Sequence, residues 1–234
     1  MSEFIKSQEN STAKIDEFKK SLTPALEYES QYPQSLGIDP KVVPAKRVAF
    51  LVDYSGSMKR VSEGSTLISQ ALDNVVNLLQ DFVSDNDCVS FSLFDHQYFE
   101  VFPMMKKMPS MFDAIANAPS PKRGGTAFFD SLITIISSIP EGGDNDWIIA
   151  LTDGEDQHSE NTLSDCLNSI RRSNINVFLI GFMVSERVAK GLSTIVKEVC
   201  KGKIGRYITA SDKRALEMAF ADVASLMEVP IMMT

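Results

Sequence analysis

Three short, nearly unbroken apolar runs govern what this chain can become. Val48-Ala49-Phe50-Leu51-Val52, Trp147-Ile148-Ile149-Ala150-Leu151 and Ile175-Asn176-Val177-Phe178-Leu179-Ile180 are too short for ordinary helices. They are also too continuous for strands with one wet face. Such runs suit strands of a parallel sheet that is covered on both sides. Between them the period changes. Leu67, Ile68, Leu72, Val75, Val76, Leu79, Phe82 and Val83 recur at helical spacing, so the pattern predicts a helix from Leu67 to Val83. Cys88 to Phe94 alternates as a strand does, with Tyr98 to Phe102 as its hairpin partner. Further helices are expected over Ser110–Ala118, Phe128–Ile139, Thr162–Arg172, Val188–Val199 and Lys213–Met227, with a short strand at Arg206–Ile208. The alternation predicts an α/β fold of the Rossmann-like, doubly wound type. Its mostly parallel sheet would have about six strands, one of them a short antiparallel edge, with helices on both faces.

The first 45 residues read differently. They are polar, carry Pro24, Pro33, Pro40 and Pro44, and offer one short helical pattern around Ser11 to Lys20. The expected organisation is therefore an N-terminal arm over 1–45 and one domain over 46–230. The chain carries 31 acidic and 23 basic side chains, a net charge of −8, which argues against a nucleic-acid binder. Cys88, Cys166 and Cys200 are scattered without a CxxC pair, and His96 and His158 are the only histidines, so a zinc site is not expected. The cysteines read as free thiols of a reduced protein. No basic-then-apolar leader opens the chain, and the longest apolar stretch, Ile175 to Val184, is too short to span a bilayer. The expectation is a soluble, cytoplasmic protein with no membrane span.

In open parallel sheets the strand-to-helix loops gather on one edge, and ligands bind outside the carboxyl ends of the strands. Three loops there carry chemistry. Asp53-Tyr54-Ser55-Gly56-Ser57-Met58 follows the first strand and offers a carboxylate and two hydroxyls at alternating positions. Gly124-Gly125-Thr126 precedes the helix that starts near Phe128, and Thr152-Asp153-Gly154-Glu155 follows the Trp147 strand. One carboxylate plus hydroxyls, with positions left open, suits a hard cation such as Mg²⁺. Each motif also has a plain structural reading. Asp53 or Thr126 could cap a helix, and Asp153-Gly154 could be a simple turn. Met104, Met105, Met108 and Met111 read as core filling or loop packing, and His158 as a solvated loop residue.

Together the Asp-x-Ser-x-Ser, Gly-Gly-Thr and Thr-Asp-Gly segments resemble the von Willebrand factor A domain, also called the integrin I-type domain, over about residues 46 to 228. The resemblance implies a metal-ion-dependent adhesion site. Asp53, Ser55, Ser57, Thr126 and Asp153 would be its metal ligands and Mg²⁺ or Mn²⁺ its cofactor. It also implies that a protein partner completes the coordination with an Asp or Glu, and that ligand binding couples to a shift of the last helix. Tyr54, Met58, Gly125, Gly154 and Glu155 would form the ligand-binding rim, with Lys59, Arg60, Lys122, Arg123 and His158 nearby. The function expected is a metal-dependent, intracellular protein-binding module, alone or as a subunit of a larger complex. The alternative is a metal-dependent hydrolase or phosphotransferase acting through Asp53. That reading is weakened because a second aspartate two positions later is absent, Ser55 standing there. No P-loop and no Gly-x-Ser-x-Gly elbow occurs.

Overall fold

In the computed structural model the described residues are 45–118, 124–141, 143 and 145–228. The expected arm at 1–45, save its last residue Ala45, and its short helix, together with Lys122 and Arg123, lie outside them. The sheet has six strands: β1 (Arg47–Asp53), β4 (Cys88–Phe94), β5 (Tyr98–Lys106), β6 (Asp146–Thr152), β7 (Asn176–Phe182) and β8 (Gly205–Ala210). Their spatial order is β5-β4-β1-β6-β7-β8. Every neighbouring pair is parallel except β4 and β5, which form an antiparallel hairpin at one edge. The doubly wound, mostly parallel architecture expected from the apolar runs is the one observed.

Alternation of side chains along each strand explains those runs. Val48, Phe50 and Val52 of β1 enter one core, while Ala49 and Leu51 enter the other. Trp147, Ile149 and Leu151 of β6 likewise oppose Ile148 and Ala150. On the first face lie α1 (Leu67–Asp81), α2 (Ser110–Ala116) and α6 (Lys213–Glu228), where Trp147 stacks on Phe178 at 6.3 Å. On the second lie α3 (Phe128–Ser138), α4 (Leu163–Arg172) and α5 (Glu186–Lys197). A strand residue on either face is thus removed from water, each large one contributing roughly 1.5–3 kcal/mol.

Helix starts follow their caps. The Thr66 hydroxyl accepts from the backbone of Ser69, and Thr162 with Asp165 forms a reciprocal capping box. Ser185 accepts from Val188, so α5 begins at Glu186, two residues before the apolar periodicity that predicted Val188. Other boundaries also differ from expectation, among them those of β5, β8 and α2. β5 runs on to Lys106 because an edge strand tolerates Pro103. β8 spans Gly205–Ala210, and α2 stops at Ala116. A two-residue-per-strand hairpin, β2 (Val61–Ser62) with β3 (Ser65–Thr66), was not anticipated. Its turn residues Glu63 and Gly64 have φ of 53° and 85°, the left-handed conformation that a tight hairpin turn demands.

The four methionines divide between surroundings. Met111 is buried in the first core, Met105 packs against it, Met104 packs on the second, and Met108 is exposed. Strand order reverses at β1, whose neighbours lead away on opposite sides. A crevice at the carboxyl ends of β1 and β6 follows from that reversal.

Candidate functional site

Asp53 is the last residue of β1, and Thr152 is the last of the adjacent β6. Parallel pairing brings their ends together. Asp53 is fully buried, and both its oxygens are engaged. Oδ1 accepts from the Ser55 backbone N–H at 2.8 Å, and Oδ2 accepts from the Thr152 hydroxyl at 2.6 Å. The chain then turns through a 3-10 segment, Gly56–Lys59. Ser55 Oγ lies 3.0 Å from Ser57 Oγ, and Ser57 Oγ donates to Asp153 Oδ1 at 2.7 Å. The second oxygen of Asp153 is buried with no hydrogen-bond partner.

Thr126 arrives from the second loop. That loop is held at both ends of its last step: Ala127 N–H donates to the Asp95 carbonyl at 2.6 Å, and the backbones of Gln157 and His158 both donate to the Thr126 carbonyl. Thr126 is 5% exposed. Gly154 is tightly framed, for a Cβ there would lie 3.3 Å from Thr126 Oγ1 and 3.9 Å from Ser57 Oγ. The five expected ligand residues therefore meet at one rim, drawn from three loops.

The plain structural readings fare differently here. Asp53 caps no helix, since its contacts are Ser55 and Thr152. The residue at the α3 N-cap is Ala127, and it makes no side-chain cap. The free N–H groups of α3 are met from the third loop instead. Phe129 donates to Asp156 Oδ2 and Asp130 to Ser159 Oγ, while Asp130 accepts from Glu160 and Asn161 in return. Asp156 thus locks the third loop to the helix that follows Thr126, a role with no local sequence signal.

Among the expected rim residues, Met58 is a correction. It is fully buried in the first core, because the 3-10 turn folds its side chain inward. Tyr54 is half-buried against the same core, and Gly125, Gly154 and Glu155 are also half-buried. The two histidines share a shallow cleft of about 480 Å³ with Gly56, Gly124 and Gly125. A Cβ on Gly124 would fall 1.9 Å from His96 Nδ1, and one on Gly125 2.0 Å from the His158 ring. The glycine pair is therefore the floor on which both imidazoles lie. His158 is exposed and lies over Gly125.

Electrostatics at the rim are strained in one direction. Burial pushes the Asp53 carboxyl up to about 6, against the pull of its hydrogen bonds, and the nearby Asp153 charge adds to the rise. Asp153 is also raised, again by burial, with Ser57 and the Arg60 charge opposing. Among the described residues no group of three or more His, Cys, Asp or Glu side chains comes together. The donor set is instead two carboxylates and three hydroxyls, all oxygen, with one carboxylate oxygen left without a partner. Such a set matches the preference of a hard divalent cation, not of a transition metal that favours nitrogen or sulfur.

The family profile of the von Willebrand factor type A domain matches residues 48–222. The chain belongs to that family. Solved structures share its fold at low identity. BatB from Bacteroides thetaiotaomicron superposes with a TM-score of 0.60 at 17% identity, covering 77% of this chain and 100% of that one. The pilus adhesin SpaC from Lactobacillus rhamnosus GG gives 0.64 at 16%, covering 80% of this chain and 31% of the adhesin. Proximal thread matrix protein 1 of the mussel byssus gives 0.62 at 17%, covering 79% and 48%. A search among curated protein sequences gives no match.

Proposed function

We propose that this von Willebrand factor A domain is a metal-dependent protein-binding module. Asp53, Ser55, Ser57, Thr126 and Asp153 would hold Mg²⁺ or Mn²⁺, and an Asp or Glu of a protein partner would complete the site. The observation that carries the reading is the buried, partnerless oxygen of Asp153 beside a continuous line of oxygen donors. A bound divalent cation supplies charge neutralisation and an open position for one further oxygen ligand. Everything else falls to the protein. Thr152 and the Ser55 backbone orient Asp53, Ser57 orients Asp153, and Asp156 with Ser159 secures the loop that presents Thr126.

Binding is favoured over chemistry at this site because Asp53 is sealed from solvent with both oxygens engaged, a poor posture for a nucleophile. Its fold-mates include a pilus adhesin and a byssal matrix protein, which lends the adhesion reading support by analogy. Cys88, Cys166 and Cys200 are all free, in keeping with a reducing compartment, and no helix among the described residues is long and apolar enough to cross a membrane. Calorimetric titration with Mg²⁺ and Mn²⁺ tests the site. Wild type should bind and Asp53→Ala should not; equal affinity in both proteins would rule the assignment out.

A further inference from the structure

Arg60 stands just beyond the first loop, exposed, at the C-terminal end of the 3-10 turn. Its guanidinium Nη2 lies 3.9 Å from Met183 Sδ, and its backbone N–H donates to the Ser57 carbonyl at 3.0 Å, which ties it to the first loop. In a chain with eight excess negative charges, Arg60 nonetheless makes no ion pair among the described residues. Arg187, by contrast, lies within 3.8 Å of the rim residue Glu155.

Met183 is unusual in its own right. It follows β7 with φ of 55°, a left-handed conformation that a non-glycine residue adopts only under strain. Its N–H is tied to the Ala210 carbonyl at 2.7 Å, which holds the bend. The side chain is 38% exposed. Val61, next to Arg60 in sequence and fixed by the small β2–β3 hairpin, is 67% exposed. Exposed large apolar side chains are few among the described residues, and these two adjoin Arg60, one through the chain and one through space.

We propose that Arg60, Met183 and Val61 form a specificity-determining shoulder of the binding site, which takes a partner segment carrying a Glu or Asp beside a large apolar residue. The proposal rests on the metal-site reading above. The sign of the electrostatics is the argument. A positive charge held on the loop that carries Ser57 opposes the arrival of a cation, so Arg60 gives nothing to metal affinity. It becomes favourable only when an anion docks, when it can pair with a partner carboxylate. Met183 then offers an adaptable apolar platform beside that pair, and methionine suits surfaces that must mould to a partner. Strain retained at a surface methionine fits a residue held out for contact.

The test uses the full chain and three capped pentapeptides: glycine–leucine–glutamate–leucine–glycine, the same with both leucines replaced by glycine, and the leucine peptide with glutamine for glutamate. Arg60→Ala, Arg60→Lys and Met183→Gly are compared with wild type by NMR titration in Mg²⁺ and in chelator, and Mg²⁺ binding is followed by calorimetry. Arg60→Ala should weaken the leucine–glutamate peptide by roughly fivefold, less at high salt, while Mg²⁺ affinity holds or tightens. Arg60→Lys should recover part of the loss. Met183→Gly should erase the preference for leucine over glycine and leave the all-glycine peptide unaffected. If all three variants bind both glutamate peptides as wild type does, and chelator still abolishes binding, the shoulder is overturned and the metal site stands. If wild type binds no Mg²⁺, or no glutamate peptide, or binds equally in chelator and to the glutamine peptide, the metal-site reading falls and the shoulder falls with it.

Discussion

Asp53→Asn should make the metal-free protein more stable at neutral pH while removing its response to divalent cations. The magnitude follows from burial. The Asp53 carboxyl moves from 3.8 to about 6 in the folded protein, chiefly because it is removed from water. At ~1.36 kcal/mol per pH unit, that rise places about 3 kcal/mol of penalty on the ionised, metal-free form. Because the folded-state value lies above the unfolded one, the protonated protein is the more stable. That advantage is complete below the unfolded value of 3.8 and is lost as pH climbs through about 6. An asparagine is neutral throughout. It can still accept from the Ser55 N–H, and its amide can donate to the Thr152 hydroxyl, which turns its own proton away. In chelator near neutral pH the variant should therefore melt higher, by at most about 6–12 °C for a domain of this size. The gap should close towards pH 4. Saturating Mg²⁺ should then raise the wild-type melting temperature and leave the variant unmoved. Circular-dichroism melting across pH, with and without chelator, reads all three effects. A variant less stable than wild type at neutral pH, or a gap that ignores pH, would refute the claim that the buried charge at Asp53 is the penalty.

Other perturbations report on neighbouring parts of the argument. Ser57→Ala removes the donor to Asp153 Oδ1, so Asp153 should titrate higher and Mg²⁺ affinity should fall about tenfold, read by calorimetry. Gly205→Ala places a Cβ 2.0 Å from the Val196 carbonyl oxygen, a backbone atom that cannot swing aside, and should cost about 3 kcal/mol in urea denaturation. The three atoms nearest a Cβ on Gly125 all belong to the His158 ring, so Gly125→Ala should cost near 1 kcal/mol and the cost should vanish in a His158→Ala background, a coupling that a double-mutant cycle measures. Trp147→Ala, at a fully buried position stacked on Phe178, should cost about 3–5 kcal/mol without altering the rim.

Legibility in the sequence followed the range of the interactions. The strands and most helices were readable because burial on both faces leaves an apolar run, and amphipathic packing leaves a period of 3.6, within a dozen neighbouring residues. Element ends moved where a cap or an edge position intervened, as at Ser185 for α5 and at Pro103 in β5. The small hairpin at Val61–Thr66 was missed because two-residue strands leave no periodic signal, although Glu63-Gly64 marks a turn.

Within the site, topology alone brings five oxygen-bearing side chains to one rim, since parallel strands deliver their loops to a single edge whatever the packing details, while their reading as one ligand set comes from the family resemblance. Tertiary structure decided the rest. It buried Met58, which sequence placed at the rim, because the 3-10 turn points that side chain into the first core. It set Asp156 on the N-terminus of α3, laid His96 and His158 over the two glycines, and brought Arg60 to Met183, 123 residues away. Each of these contacts joins segments whose distance depends on strand order and register. No local pattern encodes that distance. The chain's own sequence therefore determined the sheet and which oxygen-bearing side chains reach its rim, and only the assembled sheet determined which side chains hold, crowd and flank them.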